Sequence, residues 1–145
     1  MRTPLDHQKL DVYKSAINFV VVADTVASNL PRGRAYLADQ LRRAATSIAL
    51  NIAEGAGEFS RQDKSRFYRM ARRSATECAA VFDVCRCLRL IDSEKLESGY
   101  SLLERIIAML TKLAQAVTGT GTELNQSATS TTTAPSRRQR HVQNI

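Results

Sequence analysis

From Leu10 to Val117 apolar residues return at steps of three and four, with little proline or glycine to interrupt them. That spacing confines this stretch to amphipathic helices, and four are expected. The first, roughly Leu10 to Ser28, sets Leu10, Tyr13, Ile17, Val20 and Val21 on one face. Its run from Phe19 to Val22 also has the β-branched character of a short strand. The second, from about Ala35 to Glu54, aligns Leu37, Leu41, Ile48 and Ile52, with Gly55 and Gly57 as its expected stop. The third opens at Ser60-Arg61-Gln62-Asp63, where a serine hydroxyl can accept from a free backbone N–H and an acidic group faces the positive helix end. Phe67, Ala71, Ser74, Cys78, Val81, Cys85 and Leu88 continue it as one stripe. The fourth carries Leu96, Tyr100, Leu103, Ile107, Leu110, Ala114 and Val117, a coiled-coil-like seam. Short connections between long helices favour antiparallel neighbours, so the expected fold is all-α, an antiparallel up-down-up-down four-helix bundle.

At 145 residues the chain makes one domain, residues 1 to 117. Residues 118 to 145, with seven Thr and almost nothing that can pack, read as a disordered tail ending in the basic cluster Arg137, Arg138 and Arg140. No stretch approaches the ~20 apolar residues a membrane span needs. The opening MRTPLDHQKLDVYK lacks the apolar core of a secretory signal, and Cys78, Cys85 and Cys87 form neither a CxxC pair nor an even set. A cytoplasmic protein with reduced thiols is the expectation.

The chemistry of catalysis is thin. The two histidines, His7 and His141, stand near opposite ends of the chain, which leaves no Glu-x-x-His pair for a di-iron bundle and no partner for a nucleophilic cysteine. Cys78 and Cys85 read as core residues. Arg2 and His7 have the Arg-x4-His spacing of a helical ribonuclease, but Pro4 between them makes the match fortuitous. The AEGAGE turn has no preceding strand and no GK[ST], so it is not a phosphate loop. No enzyme activity, cofactor, metal or small-molecule substrate is expected.

Two helices carry more apolar surface than one core face requires. Phe19, Val22 and Val26 fall nearly opposite the stripe assigned to the first helix, and Leu50 points away from that of the second, beside a small-residue track of Ala38, Ala45, Ala49 and Ala53. Phe19, Val22, Val26 and Leu50 are therefore the expected contacts of a homo-oligomer.

Charge is concentrated as well. Of the net +7, residues 32 to 73 hold 10 basic and 4 acidic side chains, a net of +6. Taking Arg61 as zero, Arg61, Arg66, Arg69, Arg72 and Arg73 project between about 0° and 140°, against an inward set of Phe67, Met70, Cys78 and Cys85 centred near about 240°. A guanidinium fork grips phosphate oxygens, and a row along a rigid helix can follow a phosphate backbone without reading sequence. Arg42 and Arg43 would extend the patch if helices two and three are neighbours, with Asp39 placed to pair with Arg43. Tyr68 is the one aromatic expected among these arginines on the outer side, a weak basis for base stacking. A solvated charged face, or a surface for an acidic protein, is the competing interpretation.

QLRRAATSIALNIAEGAGEFSRQDKSRFYRMARRSATE, residues 40 to 77, resembles the core motif of the four-helix-bundle family named for proteins encoded in 23S ribosomal RNA intervening sequences. That family includes the accessory variability determinant of diversity-generating retroelements. KLDVYKSA and LLERIIAMLTKL extend the likeness to the first and last helices. The resemblance implies a non-enzymatic bundle assembled as a barrel-like homopentamer. For the retroelement relatives it further implies a basic surface that binds nucleic acid and a reverse transcriptase partner. It carries the family's paired arginines onto Arg42 and Arg43, and its Asn-x-x-Glu-Gly onto Asn51, Glu54 and Gly55, a structural motif of a polar residue bonding across helices followed by a stop. Many members have Pro where Ala49 stands and an aromatic where Ala56 stands. The expected function is non-specific binding of RNA or DNA by a homo-oligomer. The rival is a protein-interaction scaffold that never touches nucleic acid.

Overall fold

The computed structural model of the chain describes residues 1–119. A 3-10 turn at Asp6–Lys9 precedes four helices, α1 (Asp11–Ser28), α2 (Ala35–Gly57), α3 (Arg61–Cys87) and α4 (Ser93–Thr118), and the described residues hold no strand. Helix therefore replaces the strand alternative at Phe19 to Val22. None of these helices is long and apolar enough to cross a membrane. The tail assigned to residues 118 to 145 lies, from residue 120 onward, outside the described residues.

Local chemistry sets the helix ends. Ser60 Oγ accepts from the Asp63 N–H at 3.0 Å, and α3 begins at the next residue, Arg61, as its capping sequence predicts. Helix α2 does not stop at Gly55. It runs on to Gly57, and Lys64 Nζ reaches back from α3 to donate to the carbonyls of Gly55 at 3.3 Å and Ala56 at 3.0 Å at the end of the helix, the first of which also accepts from the Glu58 N–H. Gly55 instead permits close packing: a Cβ there would stand 2.7 Å from Tyr68 Cε1. Gly99 on α4 plays the same part against the ring of Phe82.

Each helix packs on its neighbours in sequence, and α1 also packs on α4, which closes a ring of four. Along the α2 and α3 seam Gln40 meets Glu77, Ser47 meets Ser74 and Gly55 meets Tyr68, so numbers fall on α3 as they rise on α2. On the next seam Tyr100 meets Asp83 near one end of α3, while Leu110 and Ala114 share a recess with Ser65 and Arg69 near the other. The centre holds Phe82, its ring 5.9 Å from Phe19 and 5.5 Å, edge-on, from Tyr100. Leu37, Leu41, Ile48 and Ile52 of α2 line the core as expected, together with Leu96, Leu103, Ile106 and Leu110 of α4.

The face assigned to α1 needs correction. Val12, Ala16, Phe19, Ala23, Val26 and Ala27 point inward, whereas Ile17 is 41% and Val21 64% exposed. Phe19 and Val26, expected between copies, belong to the protomer's own core. Alanines on either side of Phe19 let the neighbouring helices approach around one large ring, and this outweighs the greater hydrophobicity of the Ile17 to Val21 face. In α3 Ala71, Cys78, Val81 and Cys85 are buried as expected, but Tyr68, Ala75 and Phe82 join them, and Met70 and Leu88 stay 42% and 45% exposed.

Burial pushes the Cys78 thiol up to about 12, with the charge of Glu77 adding to the effect, and burial also raises Cys85. Cys87 is exposed. Iodoacetamide at neutral pH should therefore label Cys87 alone in the native protein, and Cys78 and Cys85 only after denaturation; native labelling of either, read by peptide mass, would contradict this packing. The two glycines ending α2 should also part company in urea unfolding. Gly57→Ala, with nothing within 4 Å, gains up to about 1 kcal/mol from helix propensity, while Gly55→Ala forces the Tyr68 ring aside and loses about 1–2 kcal/mol net.

Candidate nucleic-acid interface

Helix α3 turns its small and apolar side chains inward, so its arginines have nowhere to go but out. Unpaired guanidinium groups are too costly to bury, and the capped start at Ser60 fixes where the helix that carries them begins. Arg61, Arg66, Arg69, Arg72 and Arg73 are all exposed. Arg69, Arg72 and Arg73 line one open recess with Thr76, Glu77 and Ala80. Arg69 and Arg72 also border a second, beside α4, with Ser65, Thr111 and Gln115. These two arginines thus stand on the ridge between two recesses.

Their partners differ. Arg66 Nη2 lies 3.8 Å from Asp63 Oδ1, and its guanidinium sits 4.9 Å from the centre of the Phe67 ring. The pair is well exposed, so it contributes little and exchanges readily for another anion. Arg61, Arg69, Arg72 and Arg73 form no ion pair among the described residues. Lys64, the sixth cation of the segment, is spent on capping α2 and does not join the row. Glu77 is the carboxylate nearest the far end of the row, and it accepts from Gln40 Nε2 at 3.3 Å.

The arginine pair of α2 is split between two sides of the bundle. Arg42 Nε lies 3.0 Å from Asp24 Oδ1, and its Nη2 donates to Ser28 Oγ at 3.1 Å, which turns it to α1 and away from the patch. That overturns its assignment to the α3 surface. Arg43 is exposed and pairs with neither Asp39 nor any other carboxylate among the described residues. It stands three residues after Gln40 and four before Ser47, both bonded to α3, and so lies on the edge of α2 that borders the row.

The motif residues hold the α2 and α3 seam. Asn51 Nδ2 donates to the Ser47 carbonyl at 2.9 Å and to Ser47 Oγ at 3.0 Å, and Ser47 Oγ shares a 2.9 Å hydrogen bond with Ser74 Oγ. The bond across helices thus belongs to Ser47, with Asn51 behind it. Glu54 is exposed, and Gly55 gives α2 its close approach to Tyr68. Tyr68 itself, expected outside among the arginines, is 3% exposed, and burial raises its phenol pKa. Val22 is half-buried, and Leu50 is exposed as expected.

Sequence reasoning passed over Phe59, whose ring is fully exposed in the turn that leads into α3. Its only sequence signal is its place between a helix end and a capping serine, where nothing is available to cover it. No cluster of His, Cys, Asp and Glu among the described residues could hold a metal ion. His7 packs edge-on against Tyr13, ring centres 4.7 Å apart. What the surface offers chemically is a row of free guanidinium forks on a rigid rod, suited to oxyanions spaced along a chain.

No curated protein matches this chain. Residues 8–112, by contrast, match the family model described as 23S rRNA-intervening sequence protein. Because that match spans most of the four helices and well over half of the sequence, the chain belongs to the 23S rRNA-intervening sequence protein family.

Proposed function

We propose that this protein is a non-enzymatic, homo-oligomeric bundle that binds RNA or DNA through phosphates, without reading sequence. One observation carries it: Arg69, Arg72 and Arg73 project from a single stretch of α3 and have no carboxylate partner among the described residues. Arg61 and Arg43 lengthen the row, and Arg66 can leave Asp63 to join it. Such contacts supply affinity and position but carry no base information. The opposed order of contacts along the α2–α3 and α3–α4 seams supports the up-down-up-down arrangement.

Assembly has a surface of its own, across α1 and α2. Val21 and Thr46 share a shallow recess across the α1 and α2 seam. Ile17, one turn before Val21, and Leu50, one turn beyond Thr46, extend it into an exposed strip that is apolar at Ile17, Val21 and Leu50 and holds the Asp24–Arg42 ion pair between them, with Leu50 58% exposed. This strip, with Val22 at its edge, replaces Phe19 and Val26 as the contact between copies. In the barrel-like homopentamer that the family resemblance implies, five arginine rows would add their fields and strengthen attraction to a polyanion. A reverse transcriptase could be held beside the bound strand in such an assembly. The exposed strip also favours a second reading, a protein-interaction scaffold that does not bind nucleic acid.

Two measurements separate these. Substituting Arg69, Arg72 and Arg73 together by Glu should abolish the gel shift of a mixed-sequence RNA, and single Arg→Ala changes should each flatten the log–log salt slope by about 0.7 to 0.9 for every phosphate left unneutralised. Unchanged retention by the triple variant would sink phosphate binding and favour the scaffold. For assembly, Val21→Lys with Leu50→Lys should bring the mass by light scattering down to the 16.1 kDa protomer with helical circular dichroism intact. An unaltered mass would place the contact elsewhere.

A further inference from the structure

Among the described residues Phe59 is the one aromatic side chain fully presented at an end of the arginine row. Its ring is 101% exposed, whereas Tyr68 is buried and Phe67 is half-buried beneath the Arg66 guanidinium. The other exposed aromatic, Tyr36, accepts a hydrogen bond from Arg34 at the far end of α2. The turn that carries Phe59 is well specified. Lys64 ties down the end of α2 before it, and the Ser60 cap fixes the start of α3 after it. Glu58, the carboxylate beside it, is half-buried, whereas the phenyl ring stands wholly in solvent.

Arg61 follows two residues later, and from Arg61 to Arg73 the row extends about 18 Å along the helix axis. A polynucleotide lying on that row runs towards or past the ring. An aromatic face in that position stacks on a nucleobase, but only if the base face is free. In a continuous duplex both faces of every interior base pair are already covered by the neighbouring pairs, whereas loops, ends and single strands expose them.

We propose that Phe59 is a stacking platform for an unpaired base, so that the nucleic acid taken by the α3 row is single-stranded where it meets the turn between α2 and α3. This rests on the phosphate-binding reading above. The phosphates give salt-dependent grip, and Phe59 adds selection for an unpaired segment, a preference for strandedness rather than for sequence.

The test compares wild type, Phe59→Ala and Phe59→Trp on oligouridine and on a long blunt duplex at equal phosphate concentration. Wild type should prefer oligouridine. Phe59→Ala should weaken oligouridine binding at least about fivefold, leave duplex binding unchanged and keep the salt slope of wild type. Since the chain has no tryptophan of its own, Phe59→Trp supplies a single reporter, and its fluorescence should be quenched by oligouridine and not by the duplex. Equal affinities of wild type and Phe59→Ala for oligouridine, or an unquenched tryptophan, would overturn the stacking role. So would a drop in assembly mass on Phe59→Ala, which would mean that a second copy covers the ring. If stacking fails while the Arg69, Arg72 and Arg73 reversal still abolishes binding, phosphate recognition stands without it. If wild type retains neither nucleic acid at low salt, both readings fall together.

Discussion

Six cations between Arg61 and Arg73, against one carboxylate, fix how α3 must lie. Burying an unpaired guanidinium costs far more than leaving a methionine or a leucine in water, so the rotation of α3 is decided by the side it cannot bury. Met70 and Leu88 stay exposed under that constraint, while Ala71, Ala75, Cys78 and Phe82 go inside. The other helices are arranged around the result. Phe82 enters the centre against Phe19 and Tyr100, and Gly99 leaves room for its ring. Each of these aromatic pairs adds about 0.5–1.5 kcal/mol beyond the area buried.

The same constraint separates scaffold from surface. On the seam towards α2, the contacts are small or mutually satisfied: Ser47 with Ser74, Gly55 with Tyr68, Lys64 with the carbonyls that end α2. One lysine of the basic segment is consumed in holding the bundle, and the arginines are left over. That division follows from chemistry. An ammonium on a flexible stem serves as a point donor to two carbonyls, whereas a planar fork is better matched to carboxylate or phosphate. On the outer side Asp63 is in a loose pair with Arg66, and Glu77 is already bonded to Gln40. The surface of α3 keeps a positive excess.

Where the sequence is legible, one physical signal dominates. The start of α3 is plain because serine, followed three residues later by aspartate, satisfies a specific orphan N–H. The inward face of α2 is plain because Leu37, Leu41, Ile48 and Ile52 stand out from alanines and polar residues. In α1 the signal is spread over Phe19, Val20, Val21 and Val22, and hydrophobicity alone selects the wrong side. Gly55 looks like a helix stop because glycine often is one, yet here its missing Cβ is what admits Tyr68. Arg42 and Arg43, adjacent in the chain, read as one feature. A step of about 100° sends them to different neighbours, one to Asp24 and the other to the edge beside α3.

The sequence by itself determined the number of helices, their approximate limits, the capped start of α3 and the one-sided run of arginines, because each depends on residues within a few turns of one another. Tertiary structure decided which side of α1 is sealed, that Tyr68 lies inside, which arginines are clasped, and that Phe59 stands uncovered. Those outcomes depend on how closely two helices can approach and on which carboxylate a neighbouring helix happens to bring near. Such distances between remote parts of a chain have no local signature.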